Sequence, residues 1–139
     1  MNKSILLVED IDDDIQLTLR ALKKCHASVE TVVATDGQEA LDYLFGQGAY
    51  AGRDTAVQPA LVLLDLNLPK ISGLDVLRLI RNDQRTRSLP IVILTSSNSA
   101  RDMAAASALG ADRYLQKPLG YPAFLEMVHQ IVLDWLALE

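Results

Sequence analysis

The sequence predicts an α/β chain built as a flavodoxin-like, doubly wound, five-stranded parallel sheet in the order 2-1-3-4-5 with five helices. Three observations carry this. Five short apolar runs recur along the chain, amphipathic segments fill the intervals between them, and several runs are apolar at consecutive positions. Continuous apolarity marks strands covered on both faces. Regular strand and helix alternation implies parallel strands joined by right-handed crossovers.

The runs "SILLVE" (4–9), "VETVVA" (29–34), "ALVLL" (60–64), "PIVIL" (90–94) and "DRYLQ" (112–116) read as the five strands. In the first interval Ile15, Leu19 and Leu22 mark one face of a helix, and the acids before them supply its N-cap. "TDGQEALDYLF" gives the second helix. "SGLDVLRLIRND" gives the third from near Ser72, with Leu74, Leu77 and Ile80 inward and Arg78 and Arg81 toward water. "SARDMAAASALG" gives the fourth, ended by Gly110, and the last helix runs from about Tyr121 to the end. The stretch 46–59, "GQGAYAGRDTAVQP", is longer than such connections usually are. It reads either as a tolerated surface insertion or as a partner-contacting loop.

At 139 residues the chain is expected to form one domain with a real core, and half its residues are hydrophobic. A net charge of -5 argues against a nucleic-acid footprint, which relies on clustered Lys and Arg. The lone Cys25 excludes an internal disulfide, and with His26 and His129 it cannot complete a four-ligand zinc site. Both histidines are expected at the surface. The apolar run at the amino end is too short for a signal-peptide core or a membrane span, so a cytoplasmic protein is expected.

The charges sit where such a sheet does its work. In doubly wound sheets the functional crevice lies beyond the carboxyl ends of the strands, at the switch point between the first and third. Glu9 and Asp10 end the first strand, Asp65 the third and Thr95 the fourth, while the fifth runs into Lys117. Three carboxylates in one pocket raise one another's pKa unless a hard divalent cation restores their ionised forms. Oxygen-only ligation with waters and an incoming phosphate suits Mg²⁺. An ionised Asp65 is then a nucleophile toward phosphorus, yielding an aspartyl phosphate. Lys117 reaches one phosphoryl oxygen and the Thr95 hydroxyl donates to another. No residue is placed as a dedicated hydrolytic base, so the site stores the modification. The following Asp12, Asp13 and Asp14 read as helix-start acids.

Glu9 and Asp10 after an apolar strand, "LLDLNLPKISG", "ILTSS" and "YLQKP" together resemble the receiver domain of two-component response regulators, of the single-domain chemotaxis type. The resemblance spans essentially the whole chain and implies a single receiver domain over 1–139. It further implies that Asp65 is the phosphoacceptor and that Glu9 and Asp10 are the acidic pair, with Asp10 a direct Mg²⁺ ligand. The Asn67 backbone carbonyl would be a further ligand. Thr95 would be the switch hydroxyl, Tyr114 the switch aromatic that turns inward on phosphorylation, and Lys117 the phosphate-contacting cation. The Lys117 to Pro118 peptide would be cis. Asn67 and Ser97 occupy positions that tune dephosphorylation. The "VED" start, the long loop before the third strand and "LLDLNLPK" resemble the small regulators that serve bacterial and cyanobacterial phytochrome kinases. The implied donor is a sensor histidine kinase or a histidine phosphotransfer protein. The implied role is a phosphoacceptor signalling module, not an enzyme beyond slow self-catalysed phosphorylation and dephosphorylation.

Other functions fit less well. An aspartyl-nucleophile phosphohydrolase needs a second acid two residues after the nucleophile, where this chain has Asn67. A flavodoxin needs a phosphate loop rich in hydroxyls and backbone donors after the first strand, where this chain is anionic. A pseudo-receiver would lack a site residue. In the last helix Phe124, Met127, Val128, Ile131, Val132, Trp135 and Leu136 cover about half the circumference at about 100° per residue, with Leu133 beyond that arc. This surplus predicts a homodimer or kinase contact through the last helix, the fourth helix and the fifth strand. A broad core face is the alternative.

Overall fold

The computed structural model describes residues 3–25 and 28–136. The chain runs β1 (Ser4–Val8), α1 (Asp12–Cys25), β2 (Glu30–Ala34), α2 (Gly37–Phe45), a 3-10 turn (Gly48–Tyr50), β3 (Leu61–Leu64), α3 (Gly73–Arg81), β4 (Ile91–Thr95), α4 (Ala100–Ala108), β5 (Arg113–Gln116) and α5 (Tyr121–Trp135). All strands pair in parallel in the order β2-β1-β3-β4-β5, the flavodoxin-like topology expected from the sequence. The last helix ends at Trp135 with Leu136 as its C-cap, short of the chain end expected from the sequence; residues 137–139 and His26 lie outside the described residues. His129 is exposed, as expected.

Strand alternation sorts the core into two layers. Leu6, Val8, Val62, Leu64, Ile91 and Ile93 pack with α2, α3 and α4 residues such as Leu44, Leu77, Ile80 and Ala106. Ile5, Leu7, Leu61, Leu63, Val92 and Leu94 face the other way, onto Leu22 of α1 and Phe124, Val128 and Ile131 of α5. β1, β3 and β4 have partners on both faces, which is why their sequences are apolar at every position. Three helices begin on side-chain caps. Asp36, Ser72 and Ser99 accept from the backbone N–H groups of Glu39, Asp75 and Asp102, satisfying donors that a helix start leaves open. These caps fix where the chain turns back from the carboxyl edge of the sheet.

Two expectations are corrected. Arg81 does not point to water. Its guanidinium donates to the carbonyls of Gly110, Arg87 and Leu89 and pairs with Asp112 at 3.1 Å, tying the end of α3 to the loops around β4 and β5. A helical wheel places Arg81 outward, but a long side chain can fold along the surface to reach orphan carbonyls. Along α3, Val76, Leu77 and Ile80 are buried and Leu74 is half-buried. The Lys117 to Pro118 peptide is trans. The two isomers of an X-Pro bond differ intrinsically by only about 0.5–1 kcal/mol, so the dipeptide alone does not dictate which forms.

The 46–59 stretch is fastened down. Arg53 donates to the Tyr43 carbonyl and lies 3.9 Å from the Tyr43 ring centroid, while Tyr50 meets Tyr43 edge-on at 5.0 Å. Gln58 donates to the carbonyls of Leu44 and Thr55. The loop thus closes over the end of α2. In α5, Phe124, Val128, Ile131, Val132 and Leu136 are buried, Met127 and Trp135 half-buried, and Leu133 exposed. Most of the broad apolar arc is therefore core. No helix among the described residues is long and apolar enough to cross a membrane.

Candidate functional site

The sheet register brings the acids together. Val8 pairs with Leu64, so β1 and β3 end side by side. The Asp65 N–H donates to the Val8 carbonyl at 3.1 Å, and the Glu9 N–H to the Ala34 carbonyl at 3.0 Å. Carboxylate oxygens of Glu9, Asp10 and Asp65 all lie within 4.8 Å of one another. Glu9 and Asp65 are buried, whereas Asp10 is exposed. On the far side the Lys117 N–H donates to the Thr95 carbonyl at 2.7 Å, which anchors the lysine stem just beyond β5. The five residues read from the strand ends thus reach one edge of one sheet.

Gly73 shapes the phosphoacceptor candidate's surroundings. A Cβ there would stand 2.2 Å from the Asp65 carbonyl oxygen and 2.5 Å from the Leu66 Cα. The α3 start can sit this close to the end of β3 only without a side chain, and the Gly73 N–H donates to the Leu66 carbonyl at 2.9 Å. Asn67 is exposed, and its N–H donates to Asp65 Oδ1 at 3.3 Å. The turn after Asp65 is therefore held from both ends.

Lys117 is the electrostatic centre. Its ammonium donates to Glu9 Oε1 at 2.5 Å, Asp14 Oδ2 at 2.8 Å and Asp65 Oδ2 at 3.4 Å, with the lysine side chain only 10% exposed. Burial alone would lower the lysine pKa. Bonds to Asp14 and Glu9 and the Asp65 charge outweigh it and hold the group well above the ordinary lysine range. Burial pushes the Glu9 carboxyl up to about 7; the Lys117 bond opposes this and the Asp65 charge adds to it. The other Glu9 oxygen accepts from the N–H groups of Asp10 and Ile11.

The donors fit a hard divalent cation. All are carboxylate oxygens, and opposite ligands in a Mg²⁺ octahedron stand about 4.2 Å apart at about 2.1 Å per bond. The three oxygens lie near that span, adjacent ligands would have to draw closer, to about 3.0 Å, and a cation would restore the ionised form of Glu9.

Thr95 is fully buried, and its Oγ accepts from the Ser97 N–H at 3.4 Å. Tyr114 packs its half-buried ring against the α2, α3 and α4 side of the core and donates its hydroxyl to the Ser97 carbonyl at 3.0 Å. Ser97 Oγ donates to Asp102 Oδ2 at 2.7 Å, carrying the connection into the first turn of α4.

The Asp14 contact was missed by sequence reasoning. A helix start explains an acid without further need, yet the periodicity held a signal: Asp14 stands one turn before Thr18, which is buried, so it edges the inward face. Asp12 and Asp13 are exposed, as helix-start acids should be.

Comparison with known proteins agrees with this geometry. The family model described as the response regulator receiver domain matches residues 5–129. Response regulator Rcp1 of Synechocystis is 37% identical over 134 residues, covering 96% of this chain and 89% of that one. The crystal structure of the phosphorylated cyanobacterial phytochrome response regulator RcpA superposes with a TM-score of 0.91 at 36% identity, over 99% of this chain and 96% of that one. The Mn²⁺-bound form of Rcp1 gives 0.89 at 36% identity over the same shares. With the matched model spanning most of the chain and its acids meeting at one sheet edge, the chain belongs to the response regulator receiver domain family.

Proposed function

We propose that the chain is a single receiver domain that accepts a phosphoryl group on Asp65 with Mg²⁺ and thereby switches a partner-binding face. One observation carries this reading: the carboxylates of Glu9, Asp10 and Asp65 meet the Lys117 ammonium at one sheet edge. The donor is a sensor histidine kinase, of the bacterial or cyanobacterial phytochrome type by the likeness to RcpA and Rcp1, or a histidine phosphotransfer protein. The setting is the cytoplasm.

In the transfer step an Asp65 carboxylate oxygen bonds to phosphorus as the bond from phosphorus to the donor's imidazole nitrogen breaks, and that nitrogen keeps the electron pair. Glu9, Asp10, Asp65 and the Asn67 backbone carbonyl would hold Mg²⁺, which would supply positive charge for the equatorial oxygens. Lys117 needs only to pivot from Asp65 Oδ2 to contact a phosphoryl oxygen. Thr95 offers its hydroxyl to another. Moving Thr95 disturbs Ser97, and with it the Tyr114 hydroxyl and Asp102, so the output is read at α4, β5 and α5. Homodimerisation is read onto this face, where Met103 of α4 and Leu133 of α5 stand exposed.

Incubation with Mg²⁺ and acetyl phosphate followed by intact mass measurement tests the reading. One added phosphoryl group, absent in Asp65→Asn and removed by hydroxylamine, is expected. Turnover of unrelated phosphate esters, or undiminished labelling of Asp65→Asn, would overturn it.

A further inference from the structure

Lys117 holds three anions, and only two of them belong to the group of oxygens suited to a metal. Glu9 and Asp65 do, whereas Asp14 stands outside that group. We propose that Asp14 is a positioning residue that keeps the Lys117 ammonium beside Asp65 when a divalent cation occupies the acidic group. This rests on the reading of Asp65 as phosphoacceptor.

A cation bound by Glu9, Asp10 and Asp65 draws two of the carboxylates that hold Lys117, and it repels the ammonium directly. With no other anchor, a four-carbon stem with free rotors swings toward water. Asp14 supplies the anchor. Its Oδ2 lies 2.8 Å from Nζ, and its side chain is 30% exposed, so it is partly shielded from solvent. Its backbone is fixed as well, because its carbonyl accepts from the hydroxyl of the buried Thr18 at 2.8 Å. The lysine is held at the other end by the bond from its own N–H to the Thr95 carbonyl. A rigid first turn of α1 and a rigid end of β5 thus fix both ends of the Asp14 to Lys117 bridge. Asp13, adjacent and of equal charge, is exposed and bonds to none of these groups.

The test compares Asp14→Asn, Asp14→Glu and Asp13→Asn in the full chain. With Mg²⁺ and acetyl phosphate, Asp14→Asn is expected to slow phosphorylation of Asp65 roughly tenfold, and Asp14→Glu to recover most of the rate. In a Lys117→Met background Asp14→Asn should cost nothing more, since the two act as one unit. A second readout does not depend on phosphorylation. The ¹⁵N signal of the Lys117 ammonium, assigned by its loss in Lys117→Met, should show slow proton exchange with Mg²⁺ present in the unsubstituted chain and in Asp14→Glu, and be lost in Asp14→Asn. Persistence of that signal in Asp14→Asn, or an equal loss of rate in Asp13→Asn, would overturn the proposal. If the unsubstituted chain takes no phosphoryl group, the reading of Asp65 fails, and the ammonium signal still decides the role of Asp14.

Discussion

Raising the pH from about 6 to about 8 ionises Glu9, and two measurable quantities move in opposite directions. The folded carboxyl titrates near 7 because it is buried and faces Asp65, against 4.5 in the unfolded chain. Between those values the folded state retains a proton that the unfolded state has lost, so metal-free stability falls as the pH rises through this window. The total loss from about pH 4.5 upward is about 3 kcal/mol, of which about 1 kcal/mol falls between about pH 6 and about pH 8. Mg²⁺ binding reverses the sign, because the cation favours the ionised form and must displace the proton at low pH. About a tenth of Glu9 is ionised at about pH 6 and about nine tenths at about pH 8, so Mg²⁺ affinity should rise about tenfold across that range. Titration calorimetry in buffers of different ionisation enthalpy measures this directly. Close to one proton should be released per Mg²⁺ bound at the lower pH and almost none at the higher, with both effects absent in Glu9→Gln. A pH-independent affinity in the unsubstituted chain, or an undiminished slope in Glu9→Gln, would refute the reasoning.

Gly73→Ala should lower stability by about 1–3 kcal/mol in denaturant titration, because the new methyl collides with the Asp65 carbonyl and Leu66 backbone. An ordinary helical Gly→Ala change would instead stabilise, so a gain would show that the close approach relaxes freely. Arg81→Ala should cost about 2–3 kcal/mol, measured the same way, since it strips the carbonyls of Gly110, Arg87 and Leu89 of a charged donor. Lys117→Met should destabilise the metal-free protein by about 3–5 kcal/mol, as it leaves Glu9 and Asp65 buried without their cation, and Mg²⁺ should restore much of the lost melting temperature.

The strands were legible because burial on both faces leaves little freedom in composition, and the ends of those runs located Glu9, Asp65, Thr95 and Lys117 without reference to tertiary contacts. The sheet order followed from the alternation of elements. Side-chain direction was less accessible. Arg81 reads as solvated on a wheel, yet reaches carbonyls contributed by segments on either side of β4. Asp14 reads as a helix-start acid because that role suffices locally, and its bond to Lys117 spans 103 residues. The Ser97 link between Tyr114 and Asp102 needs the β4 to α4 turn in three dimensions. Most of the broad apolar arc of α5 is core because the helix packs on β1, β3 and β4 residues and on α1 as well, which buries a wider arc than one stripe; Leu133 alone of that set is exposed.

The most direct measurement is a crystal structure grown with Mg²⁺ and beryllofluoride. Beryllium bonded to an Asp65 oxygen is expected, with the metal on Glu9, Asp10, Asp65 and the Asn67 carbonyl, and the Lys117 ammonium turned onto a fluoride. A beryllofluoride group bound elsewhere, or an Asp65 carboxylate left free beside a filled metal site, would contradict the assignment of this side chain as the phosphoryl carrier.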